Sequence, residues 1–175
     1  MKERLKKNKY WILSTIILLG IGGYIGSLIY KNIAEYNVHQ FVVKHPQQTK
    51  AKVHNFQNTK YNLGLNSFTP ESDVLNIMNR MCHQKIKAEE KWGAVPMIPD
   101  TINQVYNIVE QSNFVDKLTL SSILDRWKAG DFQKIEWDHD KILDLQGGNV
   151  GFATGVMSKA EESEFILKNF GSKIE

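Results

Sequence analysis

Apolar and polar positions divide this chain into three stretches of different character. From Trp11 to Tyr30, twenty residues (WILSTIILLGIGGYIGSLIY) carry no charge. As a helix they span about 30 Å, the thickness of a bilayer's hydrocarbon core. Residues 31–66 hold ten Asn or Gln and few clustered apolar positions. They read as a polar spacer, with a helical continuation to Tyr36 and an extended piece near Val53–Leu65. From residue 67 onward, apolar residues recur at helical spacing between clear start and stop signals.

Five short amphipathic helices follow from that spacing. The first starts at Thr69-Pro70-Glu71, a capping hydroxyl, a Pro and an acid in the first turn, and stops at Gly93 after Trp92. The second covers Pro99–Ser112, with Ile102, Val105, Tyr106 and Val109 on one face. The third covers Lys117–Ala129 on a stripe of Leu120, Ile123, Leu124 and Trp127, ended by Gly130. The fourth runs from an Asp138 cap to Gln146, before Gly147-Gly148. The last opens on the capping box Ser158-Lys-Ala-Glu161 and turns Ala160, Ile166, Leu167 and Phe170 inward. The Trp127-x-x-Gly130-Asp131-Phe132 turn resembles the hairpin of tetratricopeptide-like repeats, but one hairpin is not a solenoid. The predicted architecture is all-α: a basic tail (1–10), a single transmembrane helix (11–30), a spacer (31–66) and a helical domain (67–175).

Charge sets the orientation. The net charge is +3, but residues 1–9 carry +4, residues 31–65 another +4, and residues 66–175 carry −5. Lys2, Arg4, Lys6, Lys7 and Lys9 favour a cytoplasmic N-terminus, with Trp11 and Tyr30 at the two interfaces. The domain is then extracytoplasmic. A cleaved signal peptide fits less well, since its apolar core is shorter and ends in a small-x-small site, and this run ends Ser-Leu-Ile-Tyr-Lys without a clear site near its outer end. Gly22 and Gly26 form a GxxxG, a candidate contact for homodimerisation within lipid. The juxtamembrane lysines suit anionic lipid or an anionic wall polymer. The folded part lacks the basic face that nucleic acid requires, which argues against such a partner. Cys82 is the only cysteine, so no intrachain disulfide forms, and a disulfide-free outer domain fits a Gram-positive surface.

Candidate chemistry is sparse. Val74, Met78, Met81 and Trp92 share one face of the first helix, flanked by Leu75, Cys82 and Ile86, and Lys85 and Glu89 project from the same face four residues apart. That placement is costly unless the pair is well matched, as an ion pair bridging to another helix would be. Met78, Met81, Lys85, Glu89, Trp92 and Met97 form the candidate partner-binding set, because adaptable Met and large aromatics serve recognition. Core packing is their alternative use. Asp138-His139-Asp140 cannot converge on one ion from a regular helix, and neither HExxH nor a Cys-His zinc spacing occurs, so no metal or cofactor is expected. His139 falls on the inner face between Ile142 and Leu143. The loop Gln146–Gly155 lacks the Lys-Ser/Thr of a Walker motif. A surface hydrolase would need His83, Glu90, His139 and Asp140 in one cleft, but no nucleophile motif or catalytic carboxylate pair stands out.

Two stretches resemble a known family. Met78-Asn-Arg-Met-Cys-His-Gln-Lys-Ile-Lys-Ala-Glu-Glu-Lys-Trp-Gly-Ala-Val-Pro-Met97 is one. Arg126-Trp-Lys-Ala-Gly-Asp-Phe, continuing through Asp138-His-Asp to Leu145-Gln-Gly-Gly and Ala153-Thr-Gly155, is the other. They are similar to an uncharacterised family of short, membrane-anchored proteins of Bacillus-like bacteria, over about residues 70–170. The resemblance implies an anchored surface protein and assigns no activity. The expected function is a single-pass, non-enzymatic membrane protein presenting a helical protein-interaction domain. The rivals are a hydrolase using His83 and His139 and an accessory subunit acting through its anchor.

Overall fold

The computed structural model describes the backbone of residues 2–171 and side chains from residue 20 onward. Two units divide between residues 41 and 42. The first holds all but the last three residues of helix α1, which runs from Lys2 to Lys44, past the expected end at Tyr36. Its side chains from Gly20 to Tyr30 are all exposed, including Ile21, Tyr24, Ile25, Leu28 and Ile29. Among the described residues, no helix is long and apolar enough to cross a membrane. The side chains of Trp11–Leu19, the first part of the expected span, lie outside the described residues.

The second unit is mostly helical. It contains α2 (Pro46–Gln57), α3 (Glu71–Cys82), α4 (Pro99–Gln111), α5 (Lys117–Lys128), α6 (Ile135–Leu145) and α7 (Lys159–Phe170). Two-residue strands β1 (Ile86–Lys87) and β2 (Gly155–Val156) pair antiparallel, Ile86 opposite Val156. Helices α4 and α5 pack as a hairpin, α3 lies on α6, and α2 lies on α7. The main core joins α3, α4, α5 and α6 through residues such as Val74, Met78, Val105, Leu124, Trp127 and Ile142. A smaller core stacks Phe56 of α2 on Phe170 of α7, ring centres 5.1 Å apart, beside Ile98 and Ile166.

The predicted second and third helices hold to within a residue or so, because both the stripe and the stop signals are local. The last keeps its capping box: Glu161 N–H donates to Ser158 Oγ at 3.3 Å, and Glu161 Oε2 accepts from Ser158 N–H at 2.8 Å. Lys87 sits 2.8 Å from the same carboxylate. That contact and the two Ser158 hydrogen bonds hold the Glu161 carboxyl down to about 2. Ala160, expected inward, is exposed.

Four expectations need correction. The stretch 31–66 is helical through Gln57, with no extended segment at Val53–Gln57: a single buried aromatic, Phe56, docks α2 on α7 despite its polar composition. Thr69 does not cap α3, whose N-cap is Pro70; its hydroxyl accepts the Asn66 N–H instead. The first helix ends at Cys82, ten residues before Trp92. Tertiary partners replace the missing turns: Lys91 Nζ donates to the carbonyls of His83 and Ile86, and Gln84 accepts the Met97 N–H while donating to Glu162.

The fourth correction concerns Asp138. It lies inside α6 rather than at its cap, fully buried, and accepts from the Arg126 guanidinium and from Trp127 Nε1 at 2.9 Å. A buried carboxylate of this kind is tolerable only when paired. Removing it in Asp138→Ala leaves a core indole N–H and a half-buried guanidinium without their acceptor. We expect a loss of about 3–5 kcal/mol, read by equilibrium urea unfolding. A loss below about 1 kcal/mol, typical of exposed pairs, would contradict this role.

Candidate functional site

The packing of α3 on α6 leaves a pocket of about 290 Å³ lined from both helices. Helix α3 brings Asn76, Asn79 and Arg80, with His83 just past its end; α6 brings His139 and Leu143, with Gln146 at its C-cap. The loop after β1 adds Glu90 and Trp92, and the Gly-rich loop adds Gly148, Val150 and Gly151. Gly151 has φ +87°, and a Cβ there would lie 2.9 Å from the Glu90 carbonyl oxygen, so only glycine lets the two loops meet.

The two imidazoles sit together, ring centres 5.8 Å apart and tilted by 49°. His83 Nδ1 is 2.8 Å from the Gly93 carbonyl oxygen, which can only accept, so Nδ1 carries the hydrogen. His139 Nδ1 lies 3.0 Å from Asp140 Oδ1, an oxygen that also accepts the Ala153 N–H at 2.8 Å. Each ring therefore keeps Nε2 as an acceptor when neutral. Burial pushes the His83 ring down to about 4, helped by His139, Lys91 and Arg80 and opposed by the Gly93 hydrogen bond. Lys91, in the loop after β1, is lowered to about 8, chiefly by burial and then by Lys168. Its ammonium stands 4.8 Å over the Phe165 ring.

The expected partner-binding set does not survive as a surface. Met78, Met81 and Met97 are buried in the core, the alternative that apolar spacing allows. Lys85 and Glu89 are not on one helix, since α3 has ended. Lys85 pairs instead with Glu162 of α7 at 2.8 Å and lies 4.2 Å over the Phe132 ring, while Glu89 is exposed. Trp92 is also outward, 69 % exposed, and of the set it alone lines the pocket. Gly22 and Gly26 lie on α1, where an added Cβ would meet nothing within 4 Å.

The residues required by the hydrolase reading do converge: His83, Glu90 and His139 share the pocket, and Asp140 holds His139. A nucleophile does not join them. Cys82 is buried, and its thiol is pushed up by burial and by nearby Asp138. Among the described residues, no group of three or more His, Cys, Asp or Glu side chains is placed to hold a metal ion.

Asn76, Asn79, Arg80 and Gln146 do not stand out from the sequence as site residues, though a signal exists. Asn76, Asn79, Arg80 and His83 fall at i, i+3, i+4 and i+7, a polar stripe beside the apolar one. His139, Leu143 and Gln146 repeat the spacing on α6.

Fold and site together define a small all-α domain with a ligand-sized pocket of mixed polar and apolar lining between two helices. The chain belongs to a family of unknown function (DUF6241), whose sequence profile matches residues 78–167, from the middle of α3 into α7. No curated protein and no solved structure matches it.

A pH dependence arises from His83. The unfolded ring takes a proton near pH 6.5, whereas the folded ring resists until about pH 4. Stability from this group is therefore full above pH 6.5 and declines as pH falls to 4, by about 3 kcal/mol. His83→Gln keeps a donor for the Gly93 carbonyl and should flatten that part of the curve. Urea unfolding at several pH values reads it, and an unchanged slope in the variant would refute the assignment.

Proposed function

We propose that this chain is a single-pass membrane protein of a bacterial surface, presenting its helical unit outside the cell as a non-enzymatic interaction domain. The pocket between α3 and α6 is its recognition site. That pocket carries the reading, because it joins an exposed Trp92 to polar side chains from two helices and two loops without a nucleophile. The anchor is supported by the charge-free run Trp11–Tyr30 and its basic flank. The exposed apolar side chains from Ile21 to Tyr30 have the character of a lipid-facing surface.

The close approach of His83 and His139 favours a second reading, in which a neutral imidazole acts as general base on water. His83 is a poor base at about 4, and the reading rests on His139, whose ring is oriented by Asp140. Turnover of a bound ligand, lost in His139→Gln, would favour this hydrolase over a binding module. Exchanging residues 11–30 for an unrelated spanning helix separates both from an accessory subunit acting through its anchor.

Topology is directly testable, because the native Cys82 is buried and its thiol is pushed up. Phe68, 92 % exposed, and Lys2 lie on opposite sides of the proposed anchor. In intact cells, a membrane-impermeant maleimide should label Phe68→Cys and should reach Lys2→Cys only after permeabilisation. The reverse pattern, or release of the protein from membranes by carbonate, would overturn the topology.

A further inference from the structure

We propose that the pocket between α3 and α6 binds a neutral, polyhydroxylated ligand, seating one or two pyranose rings of an oligosaccharide. This rests on the pocket being the recognition site and names what it takes.

Charge restricts the ligand class. Arg80 and Glu90 supply one formal charge of each sign, and His83 is neutral at pH 7. The pocket therefore lacks the cationic excess that a phosphate or a carboxylate would require.

Hydrogen-bonding capacity narrows the choice further. Gln146 Nε2 donates to Asn76 Oδ1 at 2.7 Å, which leaves Asn76 Nδ2 as a donor and Gln146 Oε1 as an acceptor. The Nε2 atom of His83 is an acceptor, and that of His139 is one whenever its ring is neutral, since each ring's Nδ1–H is already committed. Glu90 adds an acceptor and Arg80 a set of donors. An anion accepts only, so it would face the imidazole nitrogens and Glu90 as repulsive neighbours. A metal cation needs acceptors only and would face Arg80. A hydroxyl both donates and accepts, so a ring bearing several of them satisfies such a mixed lining.

Shape and surface agree with this. A volume of about 290 Å³ lies at the small end of ligand pockets. Trp92 offers a large aromatic surface, which packs against the C–H face of a sugar ring while the hydroxyls meet polar groups at its edge. A ligand that covers these acceptors without donating to them costs them their hydrogen bonds to water, so the lining selects for ligands that carry hydroxyls.

The test uses the full-length chain in nanodiscs and isothermal titration calorimetry with four probes: chitotriose, cellotriose, inorganic phosphate and acetate. We expect saturable binding of a trisaccharide, weakened at least tenfold in Trp92→Ala and in Arg80→Ala. Trp137→Ala, an exposed indole away from the pocket, should leave it unchanged. Preference for chitotriose identifies an N-acetylated amino sugar as the source; preference for cellotriose identifies a plain glucan. Saccharide binding that survives both pocket variants overturns the proposal. Phosphate or acetate binding that is lost in Arg80→Ala, without saccharide binding, overturns the ligand class and leaves the pocket as a recognition site. Absence of binding by every probe overturns the ligand class and counts against the recognition site as well.

Discussion

A carboxylate buried in the core organises the helical unit. Asp138 has no exposed surface, and it joins the end of α5 to the first turns of α6 through Arg126 and the Trp127 indole. A lone charge there would be prohibitively costly, so α6 must be set at the rotation that lets Asp138 reach those partners. Each further residue turns by about 100° around the helix, so that rotation also fixes the directions of the next side chains. His139 is carried toward α3 and meets His83, and Asp140 is left to hold the His139 ring and the Ala153 amide. The pocket is thus a consequence of how one buried acid is satisfied.

The early end of α3 is the complementary event. Had the helix continued to Trp92, Lys85 and Glu89 would have stood within an apolar face, with only each other as partners. Leaving the helix at Cys82 lets Lys85 reach Glu162 and lets β1 pair with β2. The carbonyls exposed by the break are covered by the Lys91 ammonium. The same break turns His83 toward the Gly93 carbonyl and brings Glu90 and Trp92 to the pocket. A locally reasonable helix is given up for a set of hydrogen bonds to residues up to 78 positions away.

How much is legible depends on how local each signal is. The stripe Leu120, Ile123, Leu124 and Trp127, the Pro at position 99 and the Ser158–Glu161 box act within one or two turns, and each places its helix where the structure has it. Helix α2 escapes a local reading because its stabilising contact is one ring, Phe56, against Phe170, 114 positions along the chain. Met78, Met81 and Met97 can be assigned to a core or to a surface by spacing alone, and burial decides for the core. Asp138 reads as a cap because acids near a predicted helix start usually are caps, whereas its true partners lie on the preceding helix.

The sequence by itself determined the helical class, the mildly acidic character of residues 66–175 and the long uncharged run near the N-terminus. These depend on composition and on periodicities no longer than a few turns. It also contained the polar stripe Asn76, Asn79, Arg80 and His83, which is set by helical spacing. Only the tertiary structure decided that this stripe faces His139 and Gln146 across a pocket closed by Gly151 and Trp92. The reason is that α3 stops, and α6 rotates, to satisfy buried charges whose partners are distant in the chain, and no local pattern carries that information.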